Sequence, residues 1–240
     1  MKLDDVKKLQ QKKYREELGH FLVEGEHLVL ELQKAAEKIP ELKKSELYVT
    51  EAYEHWPTDF RKNLITAKQM SQVSDTKTPQ GIVAIVPFLP TIAKAQANER
   101  AIYLHEVQDP GNLGTIVRTL AWFGNFRLLL SPNSVDPYNP KVVRSSMGAI
   151  FHLPMELDVS LAEVGKRFNK IACLHMHGDK VSDASFKDYE CYLFGNEARG
   201  LPQELLADMC VHSFNIPGSG AIDSLNLASA ANICVYELVR

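Results

Sequence analysis

Cysteine is scarce: the 240 residues hold only Cys173, Cys191, Cys210 and Cys234, widely spaced and without a CxxC pair. That removes the usual pattern of a zinc ribbon or a dithiol redox centre. Cys173, Cys191 and Cys234 lie in apolar surroundings, and the expectation for them is buried, reduced thiol. Long apolar runs are absent too, so no stretch suits a membrane span. The opening MKLDDVKKLQ has no apolar core of a secretory leader, and the expected location is the cytoplasm. Charge of one sign is also missing, since 27 Lys and Arg against 30 Asp and Glu leave a net charge of -3. An RNA partner would therefore need a local basic surface. Neither GxGxxG nor GxxxxGK[ST] occurs, which weakens a dinucleotide or P-loop reading. No GxSxG elbow surrounds Ser145, Ser146 or Ser224, so a hydrolase is unsupported.

What is present reads as two halves of alternating helix and strand, with no internal repeat. A helix is expected over 3–18, a strand at FLVEG (21–25) and a helix from Glu26. ELYVT, NLITA and GIVAIVPF read as strands. The stretch PFLPTIAKAQANER, with two prolines, reads as a linker, placed at 91–100. From Ala101 the pattern restarts, with strands at AIYLHEV, FRLLL, IACLHM, CYLFG and SFNI. Helices are expected at 113–123, KVVRSSMGA and SLNLASAANICVYELV. Such alternation predicts an α/β fold with a mostly parallel sheet and helices on both faces.

Three strand–loop–helix stretches carry the chemistry. In DPGNLGTIVRTL (109–120), Asn112 suits a helix N-cap or a ligand contact. Arg118 has Gly114, Thr115, Ala121 and Trp122 as same-face helical neighbours. Three of these are small, so its guanidinium would lie in a shallow channel, where its donor fork suits phosphate. In CYLFGNEARGL (191–201), Asn196 and Glu197 follow a strand, where α/β proteins place ligand groups. Glu197 could equally just complement a helix N-terminus. In NIPGSGAIDSLNLASAANI (215–233), glycines and small residues precede a helix for which Asp223 or Ser224 is a plausible cap. The pair His175 and His177 could face a metal, but no third ligand is evident and no metal is expected. The basic opening segment, with Lys12, Lys13 and Arg15, is either a solvated helix face or an RNA-binding surface.

Together these stretches resemble the SpoU family of RNA ribose 2′-O-methyltransferases, TrmH-like members of the SPOUT superfamily. N-x5-R-T appears as Asn112, Arg118 and Thr119, and G-N-E-x-x-G-L as Gly195 to Leu201. I-P-x5-S-L-N appears as Ile216, Pro217, Ser224, Leu225 and Asn226. FLVEGEHLV and SDTKTPQGIVAIV resemble the L30e-like substrate-binding domain that often precedes this catalytic domain.

The resemblance implies an L30e-like RNA-binding domain over 1–90 and a trefoil-knotted methyltransferase domain over 101–240. It implies S-adenosylmethionine as cofactor, held by Gly195, Asn196, Ile216, Pro217 and Leu225, and a homodimer. Arg118, Asn112, Glu197, Ser224 and Asn226 would form the catalytic group, with Arg144, Lys12, Lys13 and Arg15 on RNA. Ribosomal RNA is the preferred substrate and transfer RNA the alternative. The sequence departs from the family pattern at Gly218, where methionine is common, and at CLHMHG, which lacks an expected threonine near the cofactor. YELVR is also short for the last helix. Two rival readings are a nicotinamide-dependent oxidoreductase, whose fingerprint is missing, and a non-catalytic RNA-binding protein of the same fold.

Overall fold

The β-branched run IVAIVP and the run FRLLL both become strands with little or no exposure, as expected of segments covered on both faces. This computed structural model describes residues 1–90, 99–207 and 209–240, so 91–98 of the expected linker lie outside the described residues. The first run of elements is α1 (Leu3–Lys8), α2 (Lys12–Leu18), β1 (His20–Glu24), α3 (Glu26–Ala36), β2 (Glu46–Val49), β3 (Arg61–Leu64), α4 (Ala67–Val73) and β4 (Ile82–Pro87). The second begins β5 (Arg100–Leu104), α5 (Pro110–Phe123), β6 (Phe126–Leu130), α6 (Pro140–Ser145), β7 (Met155–Glu156) and α7 (Leu161–Arg167). It ends with β8 (Ile171–Lys180), β9 (Cys191–Phe194), α8 (Gln203–Ala207), β10 (Val211–Asn215) and α9 (Leu227–Val239).

These elements form two compact units. The first joins Met1–Pro90 to the excursion Asp136–His152. Its sheet has the order β1-β4-β2-β3 and is mixed: β4 runs antiparallel to β1 and β2, while β3 runs parallel to β2. The expected single helix over 3–18 is broken at Gln11, which is extended at φ -101°. The cause lies in Arg15, which is only 2% exposed. Its Nη1 donates to the carbonyls of Leu9 and Gln10, both at 2.8 Å, turning α2 back onto the end of α1. Its Nε and Nη2 reach Asp136 Oδ2 at 2.8 and 2.5 Å. Arg15 is thus an internal strut and not an RNA contact, which corrects the sequence expectation for this residue.

Asp136 shows why 136–152 leaves the unit that the chain around it belongs to. Tyr138 packs its ring 4.7 Å from Phe21 and 4.5 Å from Phe88. Burial pushes its hydroxyl pKa up to about 12. Arg144, on α6, donates to Asp75 at 2.8 Å. The sequence assigned this whole segment to a domain over 101–240, because a strand-helix reading cannot see which core an excursion joins.

The second unit holds a six-stranded, all-parallel sheet of order β10-β8-β9-β5-β6-β7. Tyr103, Leu129, Cys173, Cys191 and Leu193 share one buried cluster with Leu161, Val164 and Leu201. Their strand neighbours Ile102, Leu104, Leu128 and Leu130 are buried as well, and α5 packs against β6. Buried Arg127 in β6 is held by Glu99 at 2.9 Å and Glu156 at 3.1 Å. Cys173, Cys191 and Cys234 are buried and free, with thiols pushed up by desolvation, and Cys210 is exposed. No helix among the described residues is long and apolar enough to cross a membrane.

Asp136→Ala would strand the Arg15 guanidinium inside the first unit. The expected loss is about 3–5 kcal/mol in urea unfolding, the usual penalty for an uncompensated buried charge. The double change Arg15→Met with Asp136→Ala is expected to recover part of it.

Candidate active site

All three signature stretches converge at the carboxyl ends of the parallel strands. The connection after β5 enters α5 with Asp109 as N-cap, its carboxylate accepting the Asn112 N–H at 2.7 Å, and Pro110 in the first turn. The expected capping role of Asn112 therefore belongs to Asp109. Three residues earlier, Asp109 has the extended backbone a cap needs, whereas Asn112 is already helical. Asn112 is freed for another task, and it is 9% exposed. Its Nδ2 donates to Glu197 Oε1 at 3.1 Å, and its Oδ1 accepts from Asn226 Nδ2 at 2.9 Å.

Glu197 also accepts the backbone N–H groups of Gln108 and Asp109, both at 3.3 Å. A carboxylate has acceptor sites enough for all three donors. Asn226 turns out to cap α9, accepting from the N–H groups of Ala228 at 2.9 Å and Ser229 at 3.3 Å. The expected caps Asp223 and Ser224 are displaced by it, since the helix begins at Leu227 and not at Ser224. One amide, Asn226, thus caps a helix with its oxygen and tethers that helix to Asn112 with its nitrogen.

The loop after β9 is shaped by Gly195 and Asn196. A Cβ on Gly195 would lie 2.3 Å from the Gly200 carbonyl carbon, so only glycine allows this approach. Asn196 and Gly200 exchange backbone hydrogen bonds at 3.0 and 2.9 Å. The buried Asn196 side chain donates to the Glu106 carbonyl at 2.7 Å and accepts from the N–H groups of Ala198 and Arg199. Asn196 is thereby committed to its own loop. Beyond β10, Ile216 is half-buried, while Pro217, Ser224 and Leu225 are exposed. Between 216 and 225 the hydrogen bond among the described residues is Ala221 N–H to Ser219 Oγ at 3.3 Å. The register of β10 on β8 jumps from Ser213↔Cys173 to Phe214↔Asp179, so residues 174–178 bulge out beside this loop. Within that bulge the His177 N–H meets His175 Nδ1 at 3.2 Å.

Arg118 stands apart from this network. Six residues on from Asn112, it lies about 9 Å further along the helix and on another face. It is exposed, with no hydrogen bond or ion pair among the described residues. Its neighbour Trp122 is 83% exposed, so a large ring and not a small residue flanks it on one side. Thr119 Oγ1 sits 2.6 Å from Asn232 Oδ1 and ties α5 to α9. In the first unit, Lys12 pairs with Glu16 at 3.6 Å and Lys13 lies 5.7 Å from the Tyr14 ring centre. Sequence reading passed over Asp109 and Glu106. The signal for Asp109 was visible as Asp-Pro ahead of a helix; Glu106 left none.

Residues 99–236 match the SpoU rRNA Methylase family, and residues 2–84 match the MRM3-like substrate binding domain. The chain belongs to the SpoU rRNA methylase family. Among similar SpoU-type proteins is the 23S rRNA (guanosine(2553)-2′-O)-methyltransferase RlmP of Bacillus subtilis, 33% identical over 99% of this chain and 95% of its own. An AdoMet-bound rRNA methyltransferase from Sinorhizobium meliloti superposes with a TM-score of 0.82 at 28% identity, covering 98% of this chain and 93% of that one. The SpoU methyltransferase AviRb of Streptomyces viridochromogenes shares the fold, with a TM-score of 0.84 at 23% identity over 99% and 96% of the two chains.

Gly195→Ala forces the turn of this SpoU-family loop away from Gly200. The expected loss is about 1–3 kcal/mol in urea unfolding, typical of overpacking against backbone. A stability unchanged from wild type would mean the loop relaxes freely.

Proposed function

We propose that this protein is an S-adenosylmethionine-dependent methyltransferase acting on a ribose 2′-hydroxyl in ribosomal RNA. The observation that carries this reading is the chain Glu197–Asn112–Asn226, which joins the connections after β5, β9 and β10 at one end of the parallel sheet. That is where α/β proteins bind ligands. The cofactor fits the loop chemistry: the backbone groups of 216–225 are largely without partners among the described residues, and Gly195 lets the loop after β9 fold tightly back on itself at Gly200. Gly195, Ile216, Pro217 and Leu225 would hold it, with Asn196 shaping the loop from behind. When bound, S-adenosylmethionine supplies a methyl group activated by its sulfonium.

The protein's own residues then have three tasks. Arg118 grips an RNA phosphate and polarises the 2′-hydroxyl, stabilising negative charge as it develops. It is no base, because a guanidinium stays protonated. The hydroxyl proton passes to the neighbouring phosphate. Asn112, Glu197 and Asn226 hold the loops in register, and Ser224, exposed and without a hydrogen bond among the described residues, is free to orient the ribose.

Three finer features belong to the same reading. The C-terminal segment forms a trefoil knot, supported by edge strand β10 leading to a helix whose cap reaches back to α5. Residues 1–90 form an L30e-like RNA-binding domain whose Lys12 and Lys13 contact RNA, together with Arg144 of the excursion Asp136–His152 that belongs to the same unit. The enzyme is a homodimer through the faces of α5 and α9, where Trp122, Tyr236, Ile233 and Val239 are exposed. A dimer would also bring a second surface to Arg118. Trp122→Glu is expected to shift sedimentation from dimer to monomer; a wild-type monomer would refute this interface.

The deciding assay transfers labelled methyl from S-adenosylmethionine to unmodified ribosomal RNA. Alkali-resistant dinucleotides report 2′-O-methylation. Arg118→Ala is expected to lower kcat about 10²–10³-fold, the scale of losing one transition-state donor. Label confined to transfer RNA would move the substrate, and no label with no cofactor binding would sink the enzyme reading.

A further inference from the structure

Glu106, just beyond β5, has φ +48°, a conformation that is strained for a side chain with no local hydrogen bond to favour it. The surroundings hold it there. Its N–H donates to Ser131 Oγ at 2.7 Å, and its carbonyl accepts from Asn196 Nδ2 at 2.7 Å and Gln108 Nε2 at 2.9 Å. Its carboxylate accepts from Asn133 Nδ2 at 3.4 Å and from Arg199 Nη2 at 2.5 Å. One residue thus joins the connections after β5, β6 and β9.

None of the backbone bonds needs a carboxylate, and glycine would make them without strain. The side chain's main partner is Arg199, whose own side chain is 70% exposed. Pairs as exposed as this add little stability. Charge offers a better reason. Glu106, Asp109 and Glu197 set three carboxylates beside the Asn112 network, and a phosphodiester arriving there meets like charge. Among the described residues, Arg199 is the cation that pairs with any of the three. Its backbone N–H is fixed by Asn196 Oδ1 at 3.1 Å, and its guanidinium by Glu106. The fork is therefore anchored through Nη2, while its other donors have no partner among the described residues.

We propose that Arg199 contacts an RNA phosphate next to the target nucleotide, and that Glu106 is the positioning residue that holds its guanidinium ready. The proposal rests on the RNA methyltransferase reading above. Pre-organisation is the physical gain: an arginine already fixed loses less side-chain freedom when the phosphate arrives.

The test compares wild type, Arg199→Ala, Arg199→Lys, Glu106→Gln and the Glu106→Gln/Arg199→Ala double variant on unmodified ribosomal RNA. Methyl-transfer kinetics and RNA binding against KCl concentration are both read. Arg199→Ala is expected to raise the KM for RNA roughly tenfold, as for one charge-assisted contact. It should also flatten the slope of log K against log salt by about 0.7–0.9. The KM for S-adenosylmethionine and the melting temperature should stay at wild-type values. Arg199→Lys should keep the salt slope. Glu106→Gln should raise the KM for RNA alone but add nothing in the Arg199→Ala background. An Arg199→Ala enzyme with unchanged RNA KM and salt slope, beside an active wild type, would overturn the contact and leave the methyltransferase reading intact. A Glu106→Gln effect of equal size in both backgrounds would overturn the positioning role. A wild type that binds the RNA but transfers no methyl would sink the methyltransferase reading, while the salt slope of Arg199→Ala still decides the contact.

Discussion

Asn112 is the constraint around which the second unit is organised. A buried amide must satisfy both its ends, and this one gives its donor to Glu197 and its acceptor to Asn226. The amide carries its donor and its acceptor on separate arms, so one short side chain reaches two partners at once. An aspartate would set a second carboxylate against Glu197, and a leucine would leave both partners unmatched. Through this amide the start of α5, the loop after β9 and the cap of α9 become one arrangement. Each of the three is weakly specified by itself; jointly they are over-determined.

The same economy recurs at Glu106 and Arg15. At Glu106 a strained backbone is held by three neighbours and its carboxylate by two more, which turns local frustration into fixed geometry beside the Asn112 network. At Arg15 a buried guanidinium closes the end of α1, turns α2 and fastens the excursion that carries Tyr138 and Arg144. Charged groups in both units are buried or strained only where several partners converge, as desolvation requires. Arg118 is the contrast, an exposed guanidinium without a partner among the described residues, on a helix whose ends are firmly held.

Much of the strand pattern was legible. FRLLL, CYLF and IVAIV are strands because apolar and β-branched runs have one good solution between covering layers. Short helices were harder. α4 and α7, seven residues each, escaped notice although capping boxes at Thr66–Gln69 and Ser160–Glu163 mark their starts. Helix starts were misjudged at α5 and α9 for one reason. Asp109, Asn112, Asp223, Ser224 and Asn226 are all competent caps, and only the path of the backbone chooses among them.

The sequence by itself determined the alternation of strand and helix, the three glycine-bearing connections and the residues grouped in them, because periodicity and turn chemistry are local. It also carried the family signature. Tertiary structure alone decided which polar groups are inside and what they touch. Arg15 and Lys13 stand two residues apart in one basic run, yet one is buried on Asp136 and the other lies open beside Tyr14. Glu106 looked like an ordinary acidic residue until four distant groups converged on it. Partners at long sequence separation set burial and charge pairing, and no local rule can supply them.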